Sequence, residues 1–123
     1  MPSFTLKSCR VLVAEDEYML AQELETELHD AGAIVIGPVA TLAEAITLIN
    51  TDVDIDGAIL DANLGGELVY PAAELLIDRG VPIVLTTGYD ASAIPSRFRS
   101  LLRCEKPVDV KNVVNAIGLA LEI

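Results

Sequence analysis

The chain carries one histidine and two cysteines, and Cys9 and Cys104 form neither a CxxC pair nor a Cys/His ligand spacing. A zinc centre or a disulfide framework is therefore not expected, and both thiols read as buried or idle. Basic residues are also scarce: 8 Lys and Arg stand against 19 Asp and Glu, a formal net charge of -11. A field of that sign repels phosphate backbones and anionic lipid surfaces, which argues against nucleic acid and membrane as direct partners. No apolar run approaches the roughly 18 residues of a membrane span, and the opening MPSFTLKSCR lacks the apolar core and cleavage site of a secretory signal. A cytoplasmic protein is expected. No repeat, low-complexity tract or linker divides the 123 residues, so they are read as one domain, 1–123, with residues 1–8 as an extension and no room for a second folded module.

What the sequence does have is rhythm. Short β-branched runs alternate with helical patterns, the order expected of parallel strands joined by helices. RVLVAE (10–15) is the first strand, nearly continuous in apolar character as suits a strand covered on both faces. A helix over 17–31 repeats Leu20, Leu24, Leu28 and Ala31 and stops at Gly32. AIVIGPV (33–39) is the second strand, followed by a helix that Thr41 and Glu44 cap and that runs to about Asn50. GAILD (57–61) is the third strand, Asn63 to Gly66 a loose glycine-rich loop, and Pro71 suits the first turn of a helix ending near Arg79. VPIVLTT (81–87) and LLRCE (101–105) are the fourth and fifth strands, and Asp109 caps a last helix with a stripe of Val110, Val113, Val114, Ile117 and Leu121. Between them DASAIPSRFRS has little helical periodicity and contains Pro95, so only a marginal fourth helix is expected there.

Polar groups gather where strands end. Glu15 and Asp16 close the first strand, Asp61 the third, Thr87 the fourth, and Lys106 follows the fifth. In an open parallel sheet, ligands bind at the carboxyl ends of the strands near the point where strand order reverses. If these strands are neighbours, carboxylates about 5 Å apart repel by roughly 3 kcal/mol at an effective dielectric of about 20. A counter-ion is then required, and a few hard oxygen ligands completed by water describe Mg²⁺ better than zinc. Each residue alone has an ordinary reading as a solvated loop acid, a strand threonine or a surface lysine. Four strands ending together in this chemistry is what points to a site.

These residues resemble the receiver domain of two-component response regulators. AEDE after the first strand, AILDANLGG around the third, VLTTGYD after the fourth and CEKPVD after the fifth match that family's motifs in order, and the resemblance covers essentially the whole chain. It implies a flavodoxin-like (βα)5 fold, a five-stranded parallel sheet of order 2-1-3-4-5 with helices on both faces. It also implies that Asp61 is the phosphoacceptor, that Glu15, Asp16, Asp61 and the backbone carbonyl of Asn63 organise Mg²⁺, and that Thr87 and Lys106 contact the phosphoryl group. A cis Lys106–Pro107 bond belongs to the same pattern. The stretch Leu85-Thr86-Thr87-Gly88-Tyr89 is similar to a subgroup whose fourth strand ends in a Phe-Ala-Thr-Gly-x-Tyr type of motif, departing from it at Leu85 and Thr86.

The implied function is that of a single-domain response regulator. It would take a phosphoryl group from a sensor histidine kinase or a histidine phosphotransfer protein and signal to an output protein or serve as a phosphate sink. It would not be an enzyme in the ordinary sense, catalysing only its own phosphorylation and dephosphorylation, and would be a monomer or weak dimer. The alternative is a pseudo-receiver adaptor that is never phosphorylated; an aspartyl phosphatase would need a second acid where Asn63 stands. The strand-five aromatic common in receivers is missing from Leu101-Leu102-Arg103-Cys104, so the switch is expected to run through Thr87 and Tyr89, with Phe98, Leu119 and Ile123 available on a binding face. His29 reads as a partner for the dipole at the end of the first helix.

Overall fold

The computed structural model describes residues 6–51, 54–88 and 93–121. Five parallel strands form the main sheet: β1 (Arg10–Ala14), β2 (Ile34–Val39), β3 (Gly57–Asp61), β6 (Ile83–Thr87) and β7 (Leu102–Glu105), in the order β2-β1-β3-β6-β7. Because the two-residue strands β4 (Asn63–Leu64) and β5 (Glu67–Leu68) intervene, β6 and β7 are the fourth and fifth strands of this sheet. The order is thus the expected 2-1-3-4-5. All five residues of β3 and of β6 are buried, as the apolar runs Ala58–Leu60 and Ile83–Leu85 require of strands covered on both sides, and the polar Asp61, Thr86 and Thr87 are buried with them.

Two cores flank the sheet. The helices α1 (Tyr18–Asp30) and α4 (Val110–Leu121) enclose Val11, Val13, Ile59 and Val84 with Leu24, Leu28, Val113 and Ile117. On the opposite face α2 (Leu42–Thr51) and α3 (Tyr70–Asp78) enclose Leu12, Ile36, Leu60 and Leu85 with Ala45, Ile49, Ala73 and Leu76. Adjacent strand residues thus feed opposite cores, the period-two alternation of a strand. The capping box forms as its residues dictate: Thr41 Oγ1 accepts the Glu44 N–H at 3.1 Å and donates to Glu44 Oε1 at 3.0 Å. Asp109 accepts the Lys111 N–H at 2.9 Å and so caps α4.

Four expectations need correction. Residues 6–8 are not an extension: Leu6 is buried in the α1–α4 core and its N–H bonds Ala31 O at 3.0 Å, while residues 1–5 lie outside the described residues. The Asn63–Gly66 stretch is not a loose loop but the turn of a tight hairpin, with Gly65 (φ 61°) and Gly66 (φ 97°) both left-handed as a two-residue turn of this kind demands. An α-helix is absent among residues 93–100, where the 3-10 turn Ser96–Phe98 stands instead. Pro95 is extended (φ -53°, ψ 140°) and breaks any helix before it can propagate. Phe98 is no surface contact either: it is 5% exposed and stacks on Tyr70 with ring centroids 4.7 Å apart.

The β1–β2 register slips between Leu12 and Ala14, where Gly37 (φ 96°) precedes Pro38. A Cβ on Gly37 would lie 2.9 Å from Val39 N and 3.0 Å from Val13 O, both backbone atoms. Gly37→Ala should therefore destabilise the protein by about 1–3 kcal/mol, from the left-handed φ and the collision together, as measured by urea unfolding. In the opposite direction, the wholly buried Thr86 hydroxyl has no hydrogen-bond partner among the described residues, so the near-isosteric Thr86→Val should stabilise by about 1 kcal/mol.

Candidate functional site

Register sets the site. Ala14 pairs with Leu60, so Glu15 continues β1 at the level of Asp61, and Asp61 in turn pairs with Thr86. The carboxylates of Glu15, Asp16 and Asp61 each place an oxygen within 4.8 Å of the others. Glu15 and Asp61 are 3% and 4% exposed, whereas Asp16 faces solvent. Asp16, Glu17, Asp61, Asn63, Gly88 and Lys106 line an open cleft of about 410 Å³ above the sheet.

One cation answers the charge. Lys106 Nζ donates to Asp61 Oδ2 at 2.7 Å and stands 3.5 Å from Glu15 Oε2. Its backbone is fixed by an N–H bond to Thr87 O at 2.8 Å, the last rung between β6 and β7, and the Lys106–Pro107 bond that follows is cis. Burial pulls the Lys106 ammonium pKa down, but the bond to Asp61 and the field of both acids outweigh it, and the net direction is up. Thr87, 1% exposed, ends β6 beside these groups.

Backbone donors also orient the three carboxylates. Asp61 Oδ1 accepts the Asn63 N–H at 3.0 Å, Glu15 Oε2 accepts the Glu17 N–H at 3.0 Å, and Asp16 Oδ2 accepts the Gly65 N–H at 2.9 Å. Asn63 Oδ1 accepts the Gly66 N–H at 2.6 Å within the hairpin turn, and the Asn63 and Gly65 N–H groups tie that turn to Asp61 and Asp16. Glu15 Oε1 is buried with no hydrogen-bond partner among the described residues. Burial, and then the proximity of Asp61, pushes the Glu15 carboxyl up to about 8.

The orphaned oxygen and the all-oxygen donor set fit a small hard divalent cation. Glu15, Asp16 and Asp61 are the side chains that would hold it, with Asn63 at the cleft wall. A cation there would satisfy Glu15 Oε1 and relieve repulsion of roughly 3 kcal/mol per pair of like charges about 5 Å apart.

The sequence-predicted residues Glu15, Asp16, Asp61, Asn63, Thr87 and Lys106 converge here. Tyr89 and Ile123 lie outside the described residues. What sequence reasoning misses is the Gly65 N–H clamp on Asp16; the available signal is the Gly65-Gly66 pair flanked by Asn63-Leu64 and Glu67-Leu68, a hairpin pattern.

No family model matches the chain. Among solved structures it is similar to the solution structure of SdrG from Sphingomonas melonis Fr1, at 37% identity over 94% of this chain and 98% of that one, with a TM-score of 0.78. It is similar also to a response regulator receiver protein from Sinorhizobium medicae WSM419, at 27% identity over 95% of this chain and 97% of that one, with a TM-score of 0.78. Among curated proteins, the transcriptional regulatory protein PdtaR of Mycobacterium tuberculosis is 28% identical over 116 residues, which are 91% of this chain and 56% of that protein. The chain thus spans little more than half the length of that relative.

A carboxyl whose folded pKa of about 8 exceeds its unfolded value near 4.5 contributes stability that is complete below about pH 4.5 and lost as pH rises through about 8. Metal-free protein should accordingly melt at progressively lower temperature across that window, and Glu15→Gln should flatten the profile. Since a cation needs the ionised carboxylate, Mg²⁺ should raise the melting temperature more at pH 8 than at pH 5, and Asp16→Asn should remove most of the gain. An identical Mg²⁺ effect at both pH values and in the variant would refute the metal assignment.

Proposed function

The chain belongs to the response-regulator receiver family of two-component signalling, and we propose on that premise that Asp61 accepts a phosphoryl group from a phosphohistidine. The observation that carries this reading is the setting of Asp61: one carboxylate oxygen on Lys106 Nζ at 2.7 Å, in a cleft that Asp16 also lines, with oxygens of Glu15 and Asp16 within 4.8 Å. An Asp61 oxygen attacks phosphorus in line with the P–N bond. The O–P bond forms as the P–N bond breaks, and the imidazole nitrogen keeps the electron pair. Mg²⁺, when bound, would neutralise the equatorial oxygens of the transferring group.

The other residues position and compensate charge. Lys106 draws Asp61 Oδ2 aside and offers a fixed positive charge to the phosphoryl oxygens, while Thr87 offers a hydroxyl donor from the end of β6. The Asn63 N–H on Asp61 Oδ1 holds the nucleophile in one orientation. Slow hydrolysis of the acyl phosphate in the same cleft would set the lifetime of the signal, with Asn63 placed to admit or exclude water. The donor is a sensor histidine kinase or a histidine phosphotransfer protein, and the phosphorylated form binds an output protein or drains phosphoryl groups from another regulator. A cytoplasmic setting suits these partners, and among the described residues no helix is long and apolar enough to cross a membrane.

Incubation with Mg²⁺ and a small acyl or amide phosphate donor should add the mass of one phosphoryl group, stable to acid and labile to base. Asp61→Asn should reduce uptake to background and leave the melting temperature unchanged or higher, since one charge leaves an acidic cluster. An adduct mapped to another residue would displace Asp61 as acceptor, and no adduct in the native protein would favour a phosphorylation-independent adaptor.

A further inference from the structure

The two edges of the main sheet differ in how well they are protected. β2 is interrupted by the left-handed Gly37 and by Pro38, a residue without an N–H, and its register slips there. Such features blunt an edge against pairing with another chain. β7 has neither. Its residues Leu102, Arg103 and Glu105 are exposed and Cys104 is half-buried, because α4 packs chiefly over β3 and β6 and leaves the last strand partly bare.

Parity identifies the free backbone groups. Lys106 N–H bonds Thr87 O, and Cys104 pairs with Thr86, so Leu102, Cys104 and Lys106 direct their backbone groups toward β6. Arg103 and Glu105 direct theirs outward. Their side chains lie on the face shared with Leu85 and Thr87, one cationic and one anionic, and neither has an ion-pair partner among the described residues.

We propose that β7 is a self-association edge, on which a second copy of this chain pairs antiparallel about a two-fold axis through Cys104. In that register Arg103 stands opposite Glu105 of the second copy, and Glu105 opposite its Arg103. Both are hydrogen-bonded pairs, so four backbone bonds form between the copies and the five-stranded sheet continues into its mate. The same register sets each arginine beside a carboxylate, the arrangement that favours cross-strand pairing. A shift of two residues in either direction loses at least one of these matches. The occupant is therefore a second copy rather than an unrelated strand: the edge is complementary to itself. Cys104 faces its own equivalent in the non-hydrogen-bonded position, where Cα atoms are about 4.5 Å apart, within the range a disulfide spans.

Sedimentation equilibrium of the full chain should show a concentration-dependent dimer at physiological ionic strength. Arg103→Glu and Glu105→Arg should each weaken it by about tenfold or more, because every cross-strand pair becomes like-charged, and the double exchange should restore it. In a Cys9→Ser background, mild oxidation at alkaline pH should trap a Cys104–Cys104 dimer whose yield follows the same pattern. Unchanged melting temperatures in the single variants separate loss of pairing from loss of fold. A protein that stays monomeric at submillimolar concentration, or a dimer indifferent to both charge reversals, would overturn the proposal; so would a double exchange that fails to rescue.

Discussion

Everything at the carboxyl end of the sheet depends on one ammonium group. Lys106 Nζ lies 2.7 Å from Asp61 and 3.5 Å from Glu15, and it is the cation that lets two buried acids share a rung of the sheet. Lysine can reach them because the ladder between β6 and β7 runs to its own N–H, which fixes where its side chain begins. The sheet order then matters as much as the residue types. With β1, β3 and β6 adjacent, acids from two strands meet in the middle while the lysine arrives from the outer strand.

Even with Lys106 in place the cluster is over-supplied with negative charge. Glu15 expresses this in two ways, through an oxygen without a partner and through a carboxyl held up to about 8 by its burial and by Asp61. A group that favours a proton in the absence of metal is suited to exchange that proton for another cation. The backbone donors from Asn63, Glu17 and Gly65 orient the carboxylates without neutralising them, so they prepare a cation site rather than substitute for the ion.

Much of this arrangement is legible in the amino-acid sequence. Glu15, Asp61, Thr87 and Lys106 end or follow predicted strands, and a parallel sheet brings such ends together whatever the details of its loops. Helix caps at Thr41 and Asp109 are readable because a single side chain satisfies a known backbone need. Tertiary context decides the rest. Leu6 is buried because the turn at Ala31–Gly32 offers it backbone partners far along the chain, which no local pattern records. The segment with Pro95 can be read as a poor helix, but not as a turn anchored by Ile94 and Phe98, because that anchoring is set by the position of α3. Asp16 can be read as a ligand, while its clamp to Gly65 depends on the way Gly65-Gly66 turns back toward β1.

The Tyr70–Phe98 stack ends a series of connections that begins at the cleft. From Asp16 the path runs through the Gly65 clamp into the hairpin, through Leu68 and Val69 to Tyr70 at the start of α3, and across the stacked rings to Phe98. Arg97 and Glu74, 2.7 Å apart, brace the same crossing. In mechanical terms this is a serial linkage. A displacement at one joint is handed on to the next, and a rearrangement at the carboxyl end of β1 would be felt as a change in tension on α3, the width of the hairpin away.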